Sequence, residues 1–266
     1  MATKLEDSPA RSPKGAGGTN SYGSKRQIVS KGSSKTLYSL PQDDILLAEF
    51  RPEVAIDGKK VFRIKDRPKI AVELQAFIFA YLETYQIPTH FFSQSGDELI
   101  VKRLNIIPVD VTVRNLASQA FAKRFKHFKS GHQLDFPIFE YVLRDESGEF
   151  HVNETHLYAV QLISPEDFRT IMRLASKVDA VMKSFFERRG FTLVDITMKF
   201  GKYKGVIMLG DEISPENITV IDNSTDEEIS IVSSRDSREA SKHYQLVYDR
   251  ILPSSKVVHP DVKHKA

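Results

Sequence analysis

The spacing of apolar residues predicts four helices. Residues 70–85 carry apolar side chains three and four positions apart until Pro88 stops the pattern. A longer helix is predicted over residues 165–189, because Ser164 can cap its first turn and Gly190 can end it. Two further helices are predicted over residues 116–128, where one side is basic, and over residues 237–252.

Runs of β-branched and other apolar residues predict strands between these helices. The predicted strands cover residues 36–38, 45–50, 60–64, 99–101, 106–113, 137–143, 191–200 and 206–209. Turns are predicted at Asp57-Gly58, at residues 145–149 and at residues 202–205. Because strands and helices alternate without βαβ regularity, we expect an α+β fold with largely antiparallel sheets in two lobes.

The composition excludes several classes of chemistry. The 266 residues include no Cys, so disulfides, thiolate nucleophiles, iron–sulfur clusters and Cys-ligated zinc are ruled out. With 41% hydrophobic residues, the chain can bury one large core or two modest ones. No apolar run approaches the ~18 residues of a membrane span, and the first residues do not resemble a secretory signal, so we expect a cytoplasmic protein without a membrane partner.

Charge is distributed unevenly along the chain. Residues 1–35 hold seven basic and two acidic residues, so the remaining 231 residues hold 31 basic and 33 acidic ones. A nearly neutral body argues against a nucleic-acid partner, which would need clustered Lys and Arg. The Ser-, Gly- and Lys-rich composition predicts a disordered basic tail over residues 1–33, and residues 253–266 are predicted to form a second short tail.

Three motifs carry candidate chemistry, and each has a structural alternative. Residues 32–36, Gly-Ser-Ser-Lys-Thr, could fold over phosphates with Lys35 as the counter-charge, or could simply join a linker to a strand. Asp211 and Glu212 could offer oxygen ligands to Mg²⁺, or could form an exposed acidic turn. Arg114 could bind a phosphate or carboxylate, or could pair with a structural carboxylate. The histidines have no metal-ligand spacing, and no histidine site is predicted.

Several blocks of sequence occur together in a specific order. They are Ser34-Lys35-Thr36-Leu37-Tyr38-Ser39, Glu49-Phe50-Arg51, Ile87-Pro88-Thr89-His90-Phe91, residues 99–115, Ala122-Lys123-Arg124, Val152-Asn153-Glu154, Leu193-Val194-Asp195, Phe200-Gly201 and Gly210-Asp211-Glu212-Ile213-Ser214-Pro215. Through these blocks, from about residue 32 to residue 252, the chain resembles the SAICAR synthetase (phosphoribosylaminoimidazole-succinocarboxamide synthase) family. The resemblance implies a small antiparallel β lobe, here residues 34–107, and a larger α+β lobe, here residues 108–252, with a nucleotide cleft between them.

The resemblance also implies a reaction. In this family ATP phosphorylates the carboxylate of a carboxyaminoimidazole ribonucleotide, the amine of aspartate displaces the phosphate to form an amide, and Mg²⁺ neutralises the phosphates. The matched positions imply that Lys35 and Asp211 are catalytic, that Lys35, Lys102, Asp110 and Arg144 bind ATP, that Arg114, Asn115 and Ser214 bind substrate, and that Asp211 and Glu212 hold Mg²⁺. The expected partners are these small molecules, with a homo-oligomer left open.

Other positions depart from the family pattern. Ser33 replaces a first lysine of the phosphate loop, and residues 119–120, Gln-Ala, replace the Gly-Ser that normally receives the ribonucleotide phosphate. Further replacements lie at residues 52–55 and 71–73, and at Thr197 (for Lys), Lys199 (for Glu), Thr219 (for Arg) and Ile221 (for Trp). Two alternatives to SAICAR synthesis therefore stay open: a ligase for another carboxylate, and a non-catalytic nucleotide-binding or interaction protein. Lys199, beside the expected metal carboxylates, could replace the cation or repel it.

Overall fold

A small antiparallel sheet forms the first part of the fold. The computed structural model describes residues 26–56, 60–145 and 148–252. The first strands are β1 (Ile28–Lys31), β2 (Lys35–Ser39), β3 (Ile45–Phe50), β4 (Glu53–Ile56), β5 (Lys60–Arg63), β6 (Phe91–Ser95) and β7 (Glu98–Lys102). Five of them pair in the order β1-β2-β3-β7-β6, while β4 and β5 form a separate hairpin.

A larger antiparallel sheet follows. Its strands are β8 (Asn105–Leu116), β9 (Gln133–Asp145), β10 (Gly148–Val152), β11 (Phe191–Tyr203), β12 (Val206–Gly210), β13 (Ile218–Asp222) and β14 (Glu227–Ile229). The order is β10-β9-β8-β11-β13-β14, and β12 pairs with the C-terminal end of β11. The long strands β8 and β11 lie side by side at its centre, so residues far apart in the chain face one another across them.

Helices cover both sheets. They are α1 (Arg67–Thr84), α2 (Gln119–Arg124), α3 (Glu154–Ala159), α4 (Pro165–Glu187) and α5 (Ser237–Ile251). The helix α4 packs on β8, β11 and β12 through buried residues such as Val178 and Met182. Helix α1 contributes buried residues to two hydrophobic clusters: Ala71 packs with the small sheet, and Leu74 belongs to the main core. None of the helices in the described part of the chain is long and apolar enough to cross a membrane.

Most of the predicted architecture is confirmed. The fold is α+β with antiparallel sheets, and the helices predicted at residues 70–85, 165–189 and 237–252 are α1, α4 and α5. The hydroxyl of Ser164 accepts a hydrogen bond from the amide of Asp167, as expected of a cap. Beyond α4, Gly190 adopts a φ of 74°, which a glycine reaches without the penalty of a Cβ atom.

Three predictions were wrong in their limits. The helix predicted over residues 116–128 is only α2, because β8 runs on to Leu116 and Ser118 caps the helix. The turn predicted over residues 145–149 is shorter, since β10 begins at Gly148. The predicted tail over residues 1–33 contains β1, whose exposed side chains give no compositional signal and whose backbone pairs with β2.

The remaining predictions concern the boundary between the lobes, the two tails and one turn. The larger sheet begins with β8 at Asn105, three residues before the predicted start of the second lobe at residue 108. The rest of the predicted tails, residues 1–25 and 253–266, and the predicted turn at Asp57-Gly58 lie outside the described residues.

Candidate active site

A cavity of about 230 Å³ is lined by residues of the small sheet and by residues at the start of β8, on β11 and directly after β12. Side chains of the small sheet form an apolar wall: Leu37, Leu46, Ala48, Phe50, Leu99 and Val101. A charged end is formed where Lys35 and Lys199 meet Asp211, and Lys102 also lines the cavity. An apolar wall that faces a few convergent charged groups suits a ligand with a flat apolar ring and an anionic end.

The acidic pair after β12 is held by a lysine of the small sheet. The ammonium of Lys35, on β2, contacts Asp211 and lies 2.9 Å from Oε1 of Glu212. The hydroxyl of Ser34 donates to the same Glu212 oxygen at 2.6 Å. Asp211 has a φ of 61°, an uncommon conformation for a residue with a Cβ atom, so the surrounding ion pairs must compensate its cost. The pair is therefore a buried, cross-sheet junction rather than an exposed acidic turn.

A second lysine reaches the pair from the centre of the large sheet. On β11, Lys199 stands between Asp110 of β8 and Gly210 of β12 in the strand register. Its ammonium lies 2.9 Å from Oδ2 of Asp211 and 3.8 Å from Oδ1 of Asp110. The other oxygen of Asp110 accepts a hydrogen bond from Arg144 at 2.5 Å. Asp110 and Arg144 thus lie beside the cavity, joined to it through Lys199.

Arg67 is a third cation of the site and was not among the residues predicted from the sequence. At the first turn of α1 it is fully buried, and its guanidinium contacts Glu216 at 2.5 Å and Glu212 at 3.3 Å. It also donates to the backbone carbonyls of Ser34 and Arg51. An arginine directly before Pro68, just ahead of the helix predicted from residue 70, was the available signal, but its carboxylate partners come from residues about 150 positions away.

Electrostatics keeps Asp211, Lys35 and Lys199 charged. Burial would raise the pKa of Asp211, but Lys35 and Lys199 outweigh it and hold that pKa below its usual value. Burial likewise opposes the charge on Lys35, yet Asp211 and Glu212 raise its pKa. The pKa of Lys199 is also raised, since Asp211 and Asp110 outweigh its burial. The cluster is therefore a set of mutually satisfied ions at neutral pH.

A buried histidine completes the cavity wall. His90 lies against Phe79 in an edge-to-face contact, and its Nδ1 is buried without a hydrogen-bond partner. Burial, and then the nearby charge of Lys35, lower its pKa to about 3. His90 is therefore neutral, and no spacing in the sequence marked it because a single imidazole needs no motif.

Alternating residues of β8 and β11 continue the polar surface away from the cavity. Three cross-strand pairs form this polar stripe: Asp110 with Lys199, Thr112 with Thr197, and Arg114 with Asp195. The two threonine hydroxyls are 2.8 Å apart, and four residues of strand carry the stripe about 13 Å from the first pair to the third. The opposite face of these strands is apolar and packs on α4, through Val111, Ile196 and Met198 among others.

The far end of the stripe has its own ions, which we name the outer cluster: Arg114, Ser118, Glu140 and Asp195. Arg114 contacts Asp195, Glu140 at 2.8 Å and the hydroxyl of Ser118 at 3.0 Å. Burial raises the pKa of Asp195, although Arg114 opposes this. Both interpretations of Arg114 therefore stay open, since a guanidinium with carboxylate partners can still lie beside an incoming anion.

Two predicted substrate residues lie elsewhere. Asn115 points to the α4 side of the sheet, where its amide donates to Asp179 at 2.8 Å and both side chains are buried. Ser214 is fully buried in the turn after Glu212, and its hydroxyl contacts Glu216 and Asn217. The geometry gives both residues a structural role, so their part in substrate binding stays a prediction.

Lys102 completes the predicted nucleotide residues. It lies at the end of β7, lines the cavity and donates from Nζ to the carbonyl oxygen of Thr89 at 3.0 Å. The structure therefore brings Lys35, Lys102 and Asp211 to one cavity, with Glu212, Asp110 and Arg144 directly behind or beside it.

Comparisons with known proteins show the family of this chain. The family model described as SAICAR synthetase matches residues 28–251. A phosphoribosylaminoimidazole-succinocarboxamide synthase of Desulfitobacterium hafniense (strain Y51) is 33% identical over 231 residues, which is 85% of this chain and 97% of that protein. One of Clostridium acetobutylicum is 30% identical over 208 residues, 77% of this chain and 88% of that protein.

Solved structures are also similar. The phosphoribosylaminoimidazole-succinocarboxamide synthase from Ehrlichia chaffeensis superposes with a TM-score of 0.79 at 27% identity, covering 85% of this chain and 98% of that one. A SAICAR synthetase in complex with ADP has a TM-score of 0.78 at 31% identity and covers 85% of this chain and 97% of that one. By sequence and by structure, the chain belongs to the SAICAR synthetase family of ATP-dependent ligases of purine biosynthesis.

Proposed function

We propose that this chain makes SAICAR, joining the carboxylate of a carboxyaminoimidazole ribonucleotide to the amine of aspartate with the energy of ATP. The observation that carries the proposal is the cavity with one apolar wall and three ammonium groups, those of Lys35, Lys102 and Lys199. The apolar wall fits an adenine ring and the ammonium groups fit its phosphates. A similar solved structure is a SAICAR synthetase in complex with ADP, which supports nucleotide binding.

The chemistry has two steps. The γ-phosphoryl group passes from ATP to an oxygen of the substrate carboxylate, giving ADP and an acyl phosphate. The amine of aspartate then attacks the acyl carbon, the C–O bond to phosphate breaks, and the amine loses a proton as the amide forms. In the first step, Lys35 and Lys199 would stabilise charge on the phosphoryl oxygens, because both ammonium groups lie at the charged end of the cavity.

The polar stripe offers the ribonucleotide a binding surface between Lys199 and Arg114. A carboxylate near Lys199 would lie about 13 Å from Arg114, roughly the separation between the first and last cross-strand pairs. Arg114 would take the ribonucleotide phosphate, with Thr112 and Thr197 between the two ends. This assignment requires the phosphate to approach an arginine that already contacts Glu140 and Asp195.

The expected Mg²⁺ site does not fit the residues present. All four carboxylate oxygens of Asp211 and Glu212 already accept hydrogen bonds or ion pairs, from Lys35, Lys199, Arg67 and Ser34. Within the described ranges, no three His, Cys, Asp or Glu side chains are grouped so that they could hold a metal ion. The charge stabilisation proposed above is therefore derived from the lysines alone.

Residues near the outer cluster favour a second candidate function, ligation of another carboxylate. Thr219 stands where the family has an arginine and hydrogen-bonds Asp195, and residues 119–120 lack the hydroxyl that normally meets the phosphate. An arginine that is lost removes a charge-assisted bond worth about 1.5 to 3 kcal/mol. A carboxylate substrate without a phosphate would not need those contacts.

One assay separates the two candidates. Purified protein is incubated with ATP, Mg²⁺, aspartate and the carboxyaminoimidazole ribonucleotide, and both ADP and the amide are measured. SAICAR synthesis predicts equal amounts of both products. ADP release that requires a different carboxylate would favour the second candidate. No ADP and no amide, from protein that still binds ATP, would contradict the proposed reaction.

A further inference from the structure

We propose that the ammonium of Lys199 is a built-in cation that takes the place of a divalent metal ion beside Asp211, so that this cleft binds nucleotide without metal. The proposal rests on the proposed nucleotide site. It concerns how that site neutralises phosphates and not which carboxylate reacts.

The carboxylate oxygens of Asp211 and Glu212 are already engaged. Asp211 offers one oxygen to Lys35 and the other, at 2.9 Å, to Lys199. Glu212 is engaged on both oxygens as well, by Lys35 and Ser34 on one and Arg67 on the other. A metal ion needs free carboxylate oxygens as ligands, so it would have to displace at least one buried cation.

The position of Lys199 in the sheet supports the same proposal. Its neighbours in register are Asp110 on one side and Gly210 on the other, directly before Asp211. Pairing of β12 with β11 in this register sets where Asp211 emerges, directly after Gly210. The lysine is therefore aimed at both carboxylates by the strands themselves, and its side chain is only one-third exposed.

The carboxylates around Asp211 are already balanced by cations. Asp211, Glu212 and Glu216 are matched by the same number of cations, namely Lys35, Arg67 and Lys199, while Arg144 beyond them pairs with both Asp110 and Glu149. A bound divalent cation would add two positive charges to a balanced cluster and would lie beside two ammonium groups. By contrast, Lys102 lines the cavity and donates to the backbone carbonyl of Thr89 and not to a carboxylate, so it offers an anionic ligand a positive charge.

The test compares ADP binding by calorimetry in EDTA and in Mg²⁺. For the unaltered protein we expect the same dissociation constant in both buffers, within twofold. A dissociation constant that is tenfold or more tighter in Mg²⁺ would overturn the proposal while leaving the nucleotide site standing. No ADP binding in either buffer would overturn the nucleotide site and this proposal together.

A charge reversal sharpens the test. Lys199→Glu gives a third carboxylate beside Asp110 and Asp211, so ADP binding should weaken at least tenfold in EDTA and recover in Mg²⁺. Mn²⁺, followed by electron paramagnetic resonance without nucleotide, should bind this variant and not the unaltered protein. Stoichiometric Mn²⁺ binding by the unaltered protein would contradict the proposal.

Two further variants control for net charge and for folding. Lys177→Glu makes the same charge change on the exposed face of α4 and should leave ADP binding independent of Mg²⁺. If Lys199→Glu does not fold, Lys199→Gln removes the charge without adding a carboxylate. It should weaken ADP binding in EDTA about tenfold. Unchanged binding by Lys199→Gln would count against the built-in cation.

Discussion

The two ends of the polar stripe are both crowded with charge, but they differ in what surrounds them. At one end, Lys35, Arg67, Lys199, Asp211, Glu212 and Glu216 form a cavity cluster built from both sheets and α1. At the other, Arg114 holds Glu140 and Asp195 within neighbouring strands of one sheet. The cavity cluster thus joins the small sheet to the large one, while the outer cluster joins strands that backbone pairing already holds and adds Ser118 at the start of α2.

This difference separates two roles of charge. Ion pairs that bridge separate elements are expensive to break, because loss of one partner leaves buried charge uncompensated. Ion pairs between strands that backbone hydrogen bonds already join should cost the fold less when one partner is lost. The comparison therefore predicts that the cavity cluster controls stability and nucleotide binding together, and that the outer cluster affects the second substrate alone.

The largest expected effect comes from Arg67→Met. Removing the fully buried guanidinium strands Glu212 and Glu216, so the free energy of unfolding should fall by about 3 to 5 kcal/mol. Denaturant unfolding measures this loss. Arg63→Met is the matched control, since that side chain is 76% exposed and its pair with Glu53 should contribute less than about 1 kcal/mol. Similar losses in the two variants would break the comparison.

Next in size is Lys35→Met. Lys199 still neutralises Asp211 in this variant, so the fold should persist while nucleotide phosphates lose one charge-assisted contact. ADP affinity should fall about 10- to 100-fold, the equivalent of 1.5 to 3 kcal/mol. Calorimetry measures the change, and Lys60→Met, at an exposed position of β5, is the control. An unchanged ADP affinity would remove Lys35 from the nucleotide site.

A smaller effect is expected from pH. The pKa of His90 is about 3 when folded and near 6.5 when unfolded, so the folded state binds fewer protons. The stabilisation is complete above pH 6.5 and is lost as pH falls towards 3, at up to about 1.4 kcal/mol per pH unit. Between pH 6.5 and 5, unfolding free energy should therefore fall more steeply in the unaltered protein than in His90→Leu. Parallel curves would show that His90 is not the buried neutral group described above.

The smallest expected effect is that of Arg114→Gln on the nucleotide. The arginine lies about 13 Å along the stripe from Lys199, so ADP affinity should change less than about twofold. The KM for the ribonucleotide should rise about tenfold or more, because a charged hydrogen bond to its phosphate is lost. A parallel loss of ADP affinity would join the two clusters into one site.

Sequence patterns were sufficient for the elements with strong local signals. The spacing over residues 165–189, the cap at Ser164 and the glycine at 190 predicted α4 because each depends only on neighbours in the chain. The strand β1 was missed because its stability comes from backbone pairing with β2, while its own side chains are exposed. The same reason explains α2, whose start was decided by how far β8 pairs with β9.

For the site, the sequence by itself determined which residues are present: Lys35, Lys102, Asp110 and the Asp211-Glu212 pair, together with the replacement Lys199. Only the tertiary structure decided what they do to one another. It put Lys199 opposite Asp110 and next to Asp211, drew Arg67 under Glu212, and turned Asn115 towards α4. The reason is physical: an ion pair depends on distance and burial, and strand register and sheet packing set both for residues far apart in the chain.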